Sequence, residues 1–220
     1  MPTSKTEAKG KETAAVVQFH EDFEDDDNAD AVLASRDGIG FEVSIGQLLK
    51  ESDWFYTFLT RTPLKAPTSS TIDPRDNTIL LEEPANIIEL ALRIITCKPI
   101  PSTAFRTLSE PEGMAAFCHK YKMFSVMSFV KIAARSRDFR KFPFKLYIIA
   151  CKYRWTDVIE GIEQRCLKLD LQGVEALEAF KDAPFSYYAH LIRVKQKQQE
   201  QIEAELEAPK TRTKRPRVTG

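Results

Sequence analysis

Glycine is scarce in this chain, eight among 220 residues. Neither G-x-G-x-x-G nor G-x-x-x-x-G-K-S/T occurs, so the loops that cradle phosphates in nucleotide-binding folds have no material here. Histidine is scarcer still, with three residues at 20, 119 and 190. The four cysteines stand at 97, 118, 151 and 166, and none forms a C-x-x-C pair. Metal binding needs several such ligands converging at short distances. His20 and His190 have no Cys or His at i+3 or i+4, and the neighbours Cys118 and His119 point about 100° apart on a helix. The acidic run Glu21 to Asp30 lacks the alternating spacing and the glycine of a calcium loop. Cys118 or Cys151 as a nucleophile would need a histidine base and an orienting group, and nothing in the pattern points to one. The expectation is a non-enzymatic protein with no metal and no cofactor.

Long apolar runs are missing too. No stretch of about 18 uncharged apolar residues exists, so no membrane-spanning helix is expected. The first twelve residues are polar and carry no apolar segment of a secretion signal. Reduced, mostly buried thiols fit a protein of the nucleus or cytoplasm that is not secreted. Net charge is absent as well: 32 Lys and Arg balance 32 Asp and Glu. That argues against a wholly basic nucleic-acid coat protein.

What is present is an ordinary globular composition, 43% hydrophobic and 29% charged. It is enough for a core of one domain of roughly 130–190 residues plus tails. The charge is unevenly spread. Residues 1–30 hold three lysines against nine acids, and residues 119–154 hold ten basic side chains against the single acid Asp138. The acidic arm either folds over the basic stretch, or that stretch meets an acidic partner, or both are solvated. The end of the chain, 207–220, has five basic residues against one acid. Its cluster Lys214, Arg215 and Arg217 resembles a nuclear-import signal, with weak nucleic-acid contact and a merely solubilising tail as the other readings. It has no aromatic residue to stack on bases.

Asp37-Gly38 lies between Ala31–Arg36 and Gly40–Ser44, two short runs rich in β-formers, which is a hairpin signal. Phe41, Val43 and Ile45 alternate with Glu42 and Ser44, so the second strand should bury one face. Ser52 is placed to cap a short helix bearing Trp54, Phe55, Phe58 and Leu59. Residues 61–77 read as an exposed connection and 78–82 as a third strand. Pro84 opens a helix whose Ile87, Ile88, Ala91, Ile94 and Ile95 form an apolar stripe, with Leu90 and Leu92 beside it. Further helices are expected over 112–123 and 125–135, from Pro143 to Tyr153, and over 158–169 with Thr156-Asp157 as cap. A last helix should run from Phe185 to about Leu206, either docked on its own domain, paired with another molecule, or solvated. The sum is an α+β arrangement of about three strands followed by helices.

The order of these elements and the residues at them resemble the BTB/POZ domain, most of all the version found in many basidiomycete-type fungal proteins. The carrying segments are Phe19–Phe23, Asn28–Leu33, Ala34–Val43, Leu48–Phe55, Ile79–Pro84 and Ala115–Met123. Phe144–Trp155 resembles the helical hairpin of an extension that follows the core. The resemblance implies a BTB/POZ-like small β-sheet flanked by a helical cluster over 19–135, with a C-terminal α-helical extension over 136–206. Residues 1–18 and 207–220 would then be disordered tails. It further implies that Asp30 and a basic pair after the second strand shape a charged groove. Here Ser44-Ile45 stands at that place, and Ile45 brings no charge. Cullin adaptors of the family carry an apolar-x-Glu motif before the third strand, and no glutamate occurs between Glu51 and Glu82.

The residues expected to meet a partner are Phe19, Phe23, Trp54, Phe55, Tyr56 and Phe58. Four aromatics in five positions cannot all face inward on one helix, and exposed aromatics favour interfaces. The expected activity is protein–protein interaction, above all self-association into a homodimer. A DNA- or chromatin-associated regulator and a substrate adaptor of a cullin-type ubiquitin ligase are the alternatives.

Overall fold

The computed structural model describes residues 18–24, 27–61 and 74–207. The arm before Gln18, most of the expected connection over 61–77, and the basic cluster Lys214, Arg215 and Arg217 lie outside the described residues. The architecture is α+β, and the chain divides into two compact units, Met1–Ser136 and Arg137–Gly220.

In the first unit, β2 (Ala31–Ala34) and β3 (Ile39–Val43) form the hairpin, with Leu33 opposite Phe41. Gly38 sits at φ 83° in the turn, a region costly for residues with a Cβ. Ser35 closes that turn by donating its N–H to the carbonyl of Ile39 at 2.9 Å. β4 (Thr78–Leu80) lies parallel to β2 on its other side. A short β1 (Gln18–Phe19) adds in parallel to the outer edge of β3, so the order is β1-β3-β2-β4 with four strands where three were expected.

β3 departs from the expected one-sided pattern. Phe41 and Val43 are buried, and so is Glu42, whose carboxylate lies 3.9 Å from the Arg75 guanidinium. Arg75 belongs to the 3-10 turn Pro74–Asn77, which covers what would have been the wet face of the strand. Ile45 is not part of the strand; it begins α1 (Ile45–Glu51). α2 (Asp53–Arg61) follows at once, and α3 (Ala85–Ile95) begins after Pro84.

α3 is buried around most of its middle, with Ile87, Ile88, Leu90, Ala91 and Leu92 inside and Ile94 and Ile95 half-buried. Each fully buried Leu or Ile contributes about 1.5–3 kcal/mol relative to exposure, so α3 anchors this core. Two acids from the hairpin region hold helix starts. Asp37 accepts from the backbone N–H of Ala85 at 2.9 Å, and Asp30 accepts from that of Ile45 at 2.5 Å. Both place a carboxylate at a positive helix end. Burial of the Asp37 carboxyl works against ionisation, but hydrogen bonds from Ser35 and from the backbone outweigh it and hold its pKa low. The helices α4 (Ser109–Tyr121) and α5 (Phe124–Ala134) complete the unit.

The second unit packs α6 (Pro143–Lys152) on α7 (Thr156–Leu167) and α8 (Val174–Phe180). Thr156 is the first residue of α7 and not its cap; Trp155 occupies that place, and Asp157 sits in the first turn, where the dipole favours an acid. α8 was not expected from the sequence. α9 (Phe185–Glu207) docks by its first half only. Leu191 is wholly buried, Tyr188 donates to the carbonyl of Leu171 at 3.0 Å, and Lys195 donates to that of Leu169 at 2.8 Å. Farther along, Ile202 and Leu206 are exposed, so the second half stands free of its own unit. No described helix is long and apolar enough to cross a membrane.

Candidate functional site

The aromatic run of α2 takes its orientation from Ser52. The Ser52 hydroxyl accepts from the backbone N–H of Phe55 at 3.0 Å, capping the helix start as expected, and donates to the Tyr121 carbonyl at 2.5 Å. That start sets the helical phase. Phe55 and Leu59, four residues apart, point into the core and are buried. Trp54 and Phe58, the next pair four apart, flank them half-buried and stacked, with ring centroids 4.8 Å apart and planes 9° from parallel. Tyr56 is left pointing away from both pairs and is 58% exposed.

Tyr121 at the end of α4 ties the stack together. Its ring lies 5.5 Å from Phe55 and parallel to it, and meets Trp54 edge-on at 4.9 Å. Its phenol donates to Glu83 at 2.7 Å, while Lys120 bridges Glu82 at 2.9 Å and Glu83 at 2.8 Å. Burial, reinforced by the Glu83 bond, pushes the Tyr121 phenol up to about 12. The two carboxylates likewise hold the Lys120 ammonium above its ordinary range, against desolvation.

A second apolar exposure lies on α5 of the same unit. Phe124 is 68% and Ile132 66% exposed, and their spacing of eight residues puts them on one side of the helix. The start of α5 is joined to the end of α1 by a hydrogen bond from Ser125 to Glu51. α4 and α5 pack against each other, and α2 packs on α4.

The N-terminal aromatics behave differently. Phe19 on β1 is half-buried under the Arg75 guanidinium, 4.6 Å above its ring. Phe23 is in the core, edge-on to Phe41 at 5.6 Å, with the Lys98 ammonium 4.3 Å over its ring. Beside it Arg93 binds Asp22, Glu89 and the Pro99 carbonyl. The hydrogen bond from Arg93 holds the Asp22 carboxyl below its ordinary range. Phe23 and Phe55 therefore have no surface to give a partner, because both fill the interior of their own unit. Trp54 and Phe58 come together on α2, Tyr56 points away from them on the same helix, and Phe19 stands apart on the sheet edge.

Asp30 forms no free groove charge: its carboxylate is taken up by the start of α1. The buried thiols are set against nucleophilic use. Burial pushes Cys118 and Cys166 up to about 12, and raises Cys151 as well, so they stay protonated at neutral pH. Among the described residues no three His, Cys, Asp or Glu side chains gather as a metal site.

No protein-family model matches the chain, and no curated protein does either.

Sequence reasoning left two features of the surface unnoticed, the Lys120–Glu82–Glu83–Tyr121 cluster and the exposed side of α5. The first joins residues 37 and 38 positions apart, which periodicity cannot see. The second could have been found: Phe124, Ser128 and Ile132 recur every four residues opposite the buried Val126 and Val130.

Proposed function

We propose that this chain is a non-enzymatic protein–protein interaction module whose first unit, BTB/POZ-like in its order of elements, pairs with a second copy of itself in the nucleus or cytoplasm. The observation that carries the reading is the exposure of Tyr56, Phe124 and Ile132 on helices of one unit. Large exposed aromatic and aliphatic side chains are what an interface can bury, and tyrosine is enriched at interface centres. An isologous pair uses each exposed side chain twice, once from either copy. The likeness to the BTB/POZ domain rests on the hairpin at Asp37-Gly38, the α1–α2 pair, the Pro84-led central helix and the α4–α5 pair.

Light scattering of the intact chain at about 100 μM tests the reading, a concentration chosen for a complex of micromolar strength. A mass near twice 25.1 kDa is expected. Tyr56→Glu and Phe124→Glu should each return it towards the monomer while leaving thermal unfolding unchanged within a few degrees. A monodisperse 25.1 kDa species would overturn the proposal.

A further inference from the structure

The second unit carries a run of basic residues around α6. Arg140, Lys141, Lys145, Lys152 and Arg154 are all exposed, and no acid occurs between Phe139 and Thr156. On α6 the pattern is geometric: Lys145, Ile148 and Lys152 follow one another by three and four residues along one side. The opposite side, with Leu146, Tyr147, Ile149 and Ala150, is buried. Lys145 to Lys152 is two turns of α6, about 10.5 Å, with Arg140 and Lys141 just before the helix and Arg154 just after it.

Three of these cations sit at the wrong end of the helix for internal stability. Arg140, Lys141 and Lys145 surround the N-terminus of α6, where the macrodipole is already positive and acids are favoured; the first turn of α6 has no acid. Such a conflict between local electrostatics and the fold is expected where a site serves an outside ligand, and the ligand that relieves it is an anion.

We infer that this side of α6 is a binding surface for the phosphate backbone of double-stranded nucleic acid, read without regard to sequence. A convex helix face with one half-buried apolar residue, Ile148, offers no recess for the apolar anchors that a peptide partner needs. The two ammonium groups of α6 about 10.5 Å apart, with further cations flanking the helix, fit a polyanion of even charge over the rise of about three base pairs. The proposal is independent of self-pairing through the first unit.

The test measures binding to a labelled 20-base-pair duplex of random sequence by fluorescence anisotropy, between about 50 and 200 mM salt. The full chain is used with its end neutralised (Lys210, Arg212, Lys214, Arg215 and Arg217 to Gln), so that the end cannot supply the signal. On that background Lys141→Gln, Lys145→Gln and Arg154→Gln together should cut affinity at least tenfold at low salt. They should also lower the slope of log K against log salt by about 2.5, close to one per cation removed. Lys168→Gln, Arg193→Gln and Lys197→Gln, exposed cations of the same unit in equal number, should leave the slope unchanged. The inference is overturned if the neutralised-end chain does not bind, if the two triple variants lose equally, or if poly-glutamate binds as tightly as the duplex.

Discussion

Ser52→Ala asks whether one hydroxyl sets the exposed aromatic surface. Ser52 is 2% exposed, and its oxygen holds two backbone groups at once, the Phe55 N–H and the Tyr121 carbonyl. The methyl group left by the substitution satisfies neither. Loss of a helix cap costs about 1 kcal/mol, and a buried carbonyl left without its donor costs about 1–3 kcal/mol. No cavity term needs adding, because alanine differs from serine by one oxygen. The expected loss is therefore about 2–4 kcal/mol of the stability of the first unit.

Urea unfolding reads this out cleanly, because the chain has two tryptophans and each unit holds one, Trp54 and Trp155. In a Trp155→Phe background the fluorescence of Trp54 reports the first unit alone. With a slope of about 1–3 kcal/mol per molar urea, the midpoint should fall by roughly 1–3 M at unchanged slope. A change under about 0.5 kcal/mol, the size of an ordinary surface substitution, would refute the reasoning. It would mean that α2 is positioned by ring packing and not by Ser52.

Tyr121→Phe should remove one phenol that ionises near 12, seen as a missing step in an absorbance titration. A phenol held neutral in the fold contributes stability in full below its ordinary value of 10 and loses it as pH rises from there through about 12, so the variant should show a flatter stability curve in that window. Lys122 ends α4 at φ 52°, ψ 47°, a left-handed conformation that glycine adopts freely. Lys122→Gly should therefore raise stability by up to about 1 kcal/mol in the same urea assay, and a loss would show that the lysine side chain is held by a contact.

The elements that could be read from the sequence are those whose cause is local. The hairpin follows from Asp37-Gly38, and α3 from Pro84 and four isoleucines and one alanine at helical spacing. β1 escaped because two residues make no pattern, and α8 because seven residues with Glu175, Ala176 and Ala179 carry neither a cap nor a wide apolar stripe. Alternation places Glu42 on a wet face, whereas Arg75, 33 positions on and past a connection whose path periodicity cannot give, pairs with it. The second duty of Asp37, holding the start of α3 across 48 residues, was hidden for the same reason. For the aromatic run the composition was plain and the phase was not. Once Asp53 is the first helical residue, spacing alone separates the inward pair Phe55 and Leu59 from the outward Tyr56.

The strength of self-pairing can be bounded from the same side chains. Tyr56, Phe124 and Ile132 each leave about 120 Å² of mostly apolar surface in water, given their exposures and the size of such side chains. Two copies that bury all three remove about 700 Å² in total, less than half of a standard interface. At about 25 cal/mol per Å² this is roughly 18 kcal/mol, against an association cost of about 4–15 kcal/mol before side-chain ordering. The ordering cost is low for Tyr56, because the tyrosine has only two torsions to fix. With an association cost of about 10 kcal/mol, roughly 8 kcal/mol survives, which corresponds to reversible pairing in the micromolar range. Pairing that was nanomolar would need more apolar area than these three residues carry, and would point to a partner surface elsewhere on the chain.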